Sequence, residues 1–167
     1  RYYLAKAQEI GNMGTWEMDF VRNRLIWTDE TYNIFGFSKD TPLSYEAFMN
    51  CVHPEDREYV DSQWKDAIHD HQPYDIKHRA IIAHKIKWIR EKGEFELDQE
   101  GNCVKSIGFS QDITQMVETE AKLAASEKRL RQIIENSTNL FYAHGPDHQL
   151  TYLSPKCRDY LDCEPEE

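Results

Sequence analysis

The sequence has no long hydrophobic run, no paired cysteines and no surplus of positive charge, and each shortage closes off a class of function. None of its apolar stretches approaches the roughly 20 residues of a membrane helix, and its first residues lack the apolar core of a secretory leader. The expectation is a cytoplasmic fragment that makes no membrane contact. Its cysteines, Cys51, Cys103, Cys157 and Cys163, form no Cys-x-x-Cys pair and have no histidine at zinc-finger spacing. They read as reduced thiols, and no metal site is expected. With 20 Lys and Arg against 30 Asp and Glu, the formal charge is -10, which disfavours nucleic acid and anionic lipid because both reward basic patches. Also missing are a phosphate-binding glycine loop and any nucleophile, base and orienting group at a recognisable spacing. No catalysis is expected from these residues.

What is present is periodicity that changes along the chain. The 167 residues suffice for one well-buried core and an extension. Leu4, Ala7 and Ile10 recur at helical spacing before Gly11, giving a short N-terminal helix over residues 1–9. Trp16, Met18 and Phe20 then alternate with polar residues as in a strand, and Leu25-Ile26-Trp27 follows closely enough to form a hairpin. Thr28 or Asp29 can cap a short helix ending near Gly36, and a second short helix is expected from Tyr45 to Asn50. His53-Pro54-Glu55-Asp56-Arg57 starts a longer helix, with proline in the first turn and carboxylates beside the positive helix end. That placement accounts for Glu55, Asp56 and Glu58 without catalysis. Three strands follow, Tyr74 to Ile82, Ile86 to Leu97 and Cys103 to Ser110, the last two joined at Gly101. Strands, then helices, then strands imply an α+β domain with helices on one face of an antiparallel sheet. Residues 115–136 return to helix, with Met116, Leu123 and Leu130 seven apart as in a coiled coil, although Glu120 and Glu127 interrupt the seam. Packing of that helix on its own domain is the competing reading.

The chain also repeats itself. A shift of 125 places Trp16 on Phe141, Leu25 on Leu150, Trp27 on Tyr152 and Phe35 on Tyr160, so residues 137–167 read as the start of a second copy.

An ordered set of segments carries a family resemblance: Gly14-Thr15-Trp16-Glu17-Met18-Asp19, Leu25-Ile26-Trp27-Thr28-Asp29, Ile34-Phe35-Gly36-Phe37, His53 to Arg57, Ile86-Lys87-Trp88-Ile89, Gly108 and Asp112-Ile113-Thr114. Together they resemble a PAS domain over residues 10–114. The resemblance implies a five-stranded antiparallel sheet in the order 2-1-5-4-3, short helices on one face, and a C-terminal signalling helix over 115–136. It implies a sensory and relay module of a bacterial two-component or cyclic-di-GMP protein, with a histidine kinase, diguanylate cyclase or phosphodiesterase as the parent. It also implies a homodimer that acts on a downstream output domain of the same chain. The alternative is an interaction module that holds dimers together and takes no ligand. Asp112, Ile113 and Thr114 would form the signal junction, with Thr114 capping the N–H groups of residues 116 and 117. The turn Ala83-His84-Lys85 departs from the Asp-Gly common in such domains.

For a small-molecule ligand the candidate pocket residues are Phe35, Phe48 and Phe109. The cofactor is unknown. Flavin-binding members use Gly-x-Asn-Cys-Arg-Phe-Leu-Gln, of which only Asn50-Cys51 is present. Haem-binding members use a histidine on the long helix, whereas His69 and His71 lie at its end and His53 at its cap. His78 can face either side of the sheet, because Ile81 and Ile82 are both apolar. Neither haem nor flavin is expected.

Overall fold

Alternation along five segments builds the sheet of the computed structural model, in which residues 2–161 are described. In β1 (Met13–Asp19) Gly14, Trp16 and Met18 share one face, and β2 (Arg24–Trp27) returns antiparallel with Trp27 opposite Trp16. β3 (Tyr74–Ile82) buries every second residue, from Tyr74 through His78 to Ile82. With β4 (Lys85–Leu97) and β5 (Cys103–Asp112) it completes a five-stranded antiparallel sheet in the order β2-β1-β5-β4-β3, the order expected.

One row of this sheet takes a single residue from each strand: Trp27, Trp16, Gly108, Gly93 and Tyr74. The two glycines are steric requirements. A Cβ on Gly108 would collide with the Trp16 ring and the Lys92 carbonyl, and one on Gly93 would stand 2.8 Å from the same ring. The indole thus lies flat across β5 and β4, which only residues without a side chain allow.

Helices α2 (Asp29–Phe35), α3 (Tyr45–Cys51) and α4 (Arg57–His69) cover this face, burying Ile34, Phe35, Val60 and Ala67 against Ile76, Ala80 and Ile89. Each of the buried Val, Ile and Phe side chains contributes about 1.5–3 kcal/mol. The His-Pro-Glu-Asp-Arg segment fastens α3 and α4 to the sheet. Its His53 Nδ1 accepts the Glu55 N–H at 3.4 Å, ahead of a single 3-10 turn over Pro54–Asp56. The Asp56 carboxylate accepts the Arg79 backbone N–H at 2.7 Å and the Arg79 guanidinium as well. Arg57 donates to the carbonyls of Val52 and Asn50 at 3.1 and 3.2 Å. Its carboxylates therefore hold Arg79 of β3 as well as facing a helix end.

The departure at Ala83-His84 has a conformational consequence. Ile82 pairs with Lys85, so the loop has two residues, and both carry positive φ, 48° and 63°. Such a turn favours Asn and Gly, and here it is built from residues with side chains.

α1 (Tyr2–Ile10) ends at Gly11, whose N–H donates to the Ala7 carbonyl at 2.9 Å. α5 (Thr114–Glu135) buries none of its residues. The chain divides into two compact units between Val117 and Glu118. The second holds a hairpin of β6 (Tyr142–His144) and β7 (Leu150–Leu153), then α6 (Cys157–Leu161). There the uniform shift of 125 fails. In the first unit Thr15 N–H donates to Thr28 Oγ1 and Thr28 N–H to the Thr15 carbonyl, both at 2.9 Å. The matching pair is Phe141 N–H to Ser154 Oγ at 3.1 Å and Ser154 N–H to the Phe141 carbonyl at 2.8 Å, a shift of 126. Ala143 pairs with Tyr152 but His144 with Leu150, so Thr151 is an extra residue, and the bulge absorbs the difference. Residues 162–167, Cys163 among them, lie outside the described residues.

Candidate functional site

Between the sheet and α2, α3 and α4 lies a cavity of about 60 Å³. One water needs roughly 10–15 Å³ by the same measure, so the space holds about four to six water-sized groups. Its walls are mostly rings: Trp16 and Trp27 from the first hairpin, Phe35, Tyr45, Phe48 and Trp64 from the helices, and Tyr74 from β3. They brace one another, Tyr45 stacked on Trp64 at 5.7 Å and Phe48 edge-on to Phe35 at 5.6 Å. Of the three expected lining residues, Phe35 and Phe48 face this space. Phe109 does not. On β5 the inward positions belong to Ser106, Gly108 and Ser110, and Phe109 lies on the opposite face with the Arg90 guanidinium 5.9 Å from its ring centre.

The cavity also has a polar wall. Glu91 of β4 is 2% exposed, and its Oε2 accepts both the Trp16 indole N–H and the Ser110 hydroxyl at 2.9 Å. Its other oxygen has no hydrogen-bond partner among the described residues. His78 faces inward, which the sequence left open, with its Nε2 3.9 Å from Glu91 Oε1. Burial first, and the Glu91 charge second, push the Tyr74 phenol well above its ordinary value. Burial and then the Asp61 carboxylate do the same to Tyr45.

A haem or flavin does not fit this arrangement. Either would have to displace several mutually packed rings from a space of a few heavy atoms. Cys51 lies on α3, its thiol donating to the Ala47 carbonyl at 3.6 Å and pushed up by burial, the reverse of an activated nucleophile. His69 and His71 are exposed. Among the described residues no group of three or more His, Cys, Asp or Glu is placed to hold a metal ion, and no helix is long and apolar enough to cross a membrane.

At the end of β5 the strand becomes α5 through a tight joint. Ile113 N–H donates to the Trp88 carbonyl at 2.9 Å, which continues the β4–β5 ladder by one bond. Trp88 N–H in turn donates to Thr114 Oγ1 at 3.0 Å. The Thr114 hydroxyl and N–H both donate to Asp112 Oδ1, at 2.6 and 3.0 Å, while Lys87 Nζ lies 2.9 Å from Asp112 Oδ2. The cap role expected of Thr114 is thereby corrected. Thr114 is the first residue of the helix rather than the residue before it, and its hydroxyl ties β4 to Asp112.

The PAS fold family model matches residues 24–110, half of the chain. The chain belongs to the PAS fold family. It is 30% identical over 123 residues to the sensor protein FixL of Bradyrhizobium diazoefficiens, covering 73% of this chain and 24% of that protein. It is 21% identical over 152 residues to a probable diguanylate cyclase, DgcE, of Escherichia coli, covering 91% of this chain and 14% of the other. The chain thus spans less than a quarter of the length of either relative. Among solved structures, a sensory box histidine kinase/response regulator from Burkholderia thailandensis superposes with a TM-score of 0.63 at 20% identity, over 77% of this chain and 98% of that one.

Sequence reasoning missed the polar wall of this PAS domain. Glu91 sits in the run Arg90-Glu91-Lys92, which reads as a solvated charge cluster. The signal that exposes it is parity, since Ile89, Glu91, Gly93 and Phe95 share the inward face of β4.

Proposed function

We propose that this PAS domain is the sensory and relay module of a cytoplasmic signalling protein whose output is a histidine kinase or a cyclic-di-GMP enzyme. The observation that carries the reading is a chain of contacts from cavity to helix. Phe35 lines the cavity at the end of α2, and the carbonyl of its neighbour Ile34 accepts from Lys87 Nζ at 3.4 Å. The same ammonium pairs with Asp112, which holds Thr114 at the start of α5. Movement of α2 around a ligand therefore changes how Lys87 divides its charge between the Ile34 carbonyl and the junction. The names of two relatives, a sensor protein and a probable diguanylate cyclase, support the same role.

On this reading residues 10–114 are the sensor, 115–136 the signalling helix and 137–167 the beginning of a second PAS domain. The matching hydrogen-bond pairs of the two hairpins support that last assignment. Met116, Leu123 and Leu130 are 45%, 61% and 57% exposed, a stripe suited to a second copy of the helix in a homodimer. That stripe equally suits a dimerisation module without a ligand. Spin labels on Lys122 of the full chain separate the two. Relay predicts that Asp112→Asn changes the distance between the paired helices in the dimer. An unchanged distance leaves only the dimerisation module, and a monomer at high concentration refutes both.

A further inference from the structure

The polar wall of the cavity is closed on itself. Glu91 Oε2 takes both the Trp16 indole N–H and the Ser110 hydroxyl at 2.9 Å, and the Tyr45 hydroxyl is turned to Asp61 of α4 at 3.3 Å. The other Glu91 oxygen is buried and lies 3.9 Å from Nε2 of His78, a residue that does not line the cavity. What an occupant meets is therefore overwhelmingly carbon, the aromatic rings together with Met18 of β1 and Leu25 of β2.

Such a wall sorts occupants by polarity. An anion would approach a buried carboxylate with no Lys or Arg among the described lining residues. A cation gains little from Glu91, because one oxygen already serves two donors and the other is enclosed. Water needs about two to four polar partners to be held in a cavity, and an alcohol or amide gives up hydrogen bonds to solvent that this wall does not replace. A hydrocarbon carries none of these penalties, and the ring faces and the Met18 thioether give it dispersion contacts on every side. Volume then sets the size. A space of about 60 Å³ takes roughly four to six heavy atoms. We infer that the cavity is a binding site for a small neutral apolar molecule, a hydrocarbon or halocarbon of about that many heavy atoms. The inference rests on the reading of the cavity as the sensory input and names the class of ligand that enters it.

The test titrates the full chain with four probes of one shape and follows the Met18 methyl and Trp16 indole resonances. 2-Methylpropane is the apolar probe, tert-butanol its neutral polar counterpart, trimethylammonium chloride the cation and sodium pivalate the anion. Saturable movement of both resonances by 2-methylpropane is expected, at least about tenfold tighter than by tert-butanol and absent with either ion. Leu25→Phe places a ring in the space and should abolish the response; a folded variant that still responds puts the guest elsewhere and overturns the inference. The comparison of probes in the unaltered protein decides even where that variant folds poorly. Binding of tert-butanol as tight as that of 2-methylpropane, or saturable binding of either ion, overturns the apolar assignment and leaves a sensory cavity for polar ligands. No saturable shift with any probe also overturns it, and the relay reading is then judged by the Asp112→Asn distance measurement alone.

Discussion

Replacing Thr114 by valine should destabilise the PAS domain by about 2–3 kcal/mol, more than the loss of a helix cap. Valine keeps the branched shape of threonine and its modest helix propensity, so the change isolates the hydroxyl. Two hydrogen bonds disappear. The bond accepted from Trp88 N–H is between neutral groups and contributes about 1 kcal/mol, and the one donated to the Asp112 carboxylate about 1.5–3, reduced because the junction is part-exposed. A cap lost from a free helix end would cost about 1 kcal/mol. The pH dependence separates the terms. Burial raises the Asp112 carboxyl, but hydrogen bonds from Thr114 and Lys87 together outweigh it and hold the group below its ordinary value. A depressed folded value gives stability that is complete above the ordinary value and fades as pH falls through the folded one. The penalty for Thr114→Val should therefore be full at pH 7 and shrink once Asp112 is protonated and the bond from Thr114 is one between neutral groups. Urea unfolding of the full chain, followed by tryptophan fluorescence at several pH values, measures both. A penalty below about 0.5 kcal/mol at pH 7, or one that does not shrink in acid, would refute the role assigned to this joint.

His84→Gly should stabilise the domain by about 0.5–1 kcal/mol, since the left-handed φ of 63° at His84 is strained for any residue with a Cβ; a neutral or destabilising result in the same unfolding assay would mean that the histidine ring makes a compensating contact. Gly108→Ala should cost at least about 2 kcal/mol, because its methyl group would have to displace the Trp16 ring or the Lys92 carbonyl. An unchanged unfolding midpoint together with unchanged tryptophan emission would show that the indole does not lie across this strand.

How much of this was legible in the sequence depended on whether apolar residues faced inward. On β3 they do, and the expected strand from Tyr74 to Ile82 is the one observed. His78 stayed undecided because Ile81 and Ile82 are both apolar. The structure turns Ile82 in and leaves Ile81 41% exposed. On β5 the pattern is inverted. The inward positions hold Ser106, Gly108 and Ser110, a large ring from β1 occupies the space a side chain at Gly108 would need, and Phe109 falls outside. Residue type alone suggested a lining phenylalanine where the packing demands small residues. Thr114 failed for a related reason. A hydroxyl near a helix start suggests a cap, and nothing local reveals that Trp88, 26 residues earlier, brings an unpaired N–H to it.

Glu91 and Asp112 stand on the same two strands, and their pairing shows why a PAS domain could tolerate one charge in its core and another at its exit. Glu91 pairs with Ser110 and Ile89 with Asp112, so the two carboxylates belong to neighbouring inward positions of the β4–β5 ladder, roughly 7 Å apart along the strand. On the relay reading, a change in the hydrogen bond from Ser110 to Glu91 would reach Asp112 two residues on, and a shift of Phe35 would reach the neighbouring Ile34 carbonyl that shares Lys87. Both routes would end at the Lys87–Asp112 pair at the base of α5. An apolar residue at position 91 would spare the core a desolvated charge, but it would leave the Trp16 indole N–H and the Ser110 hydroxyl without their acceptor.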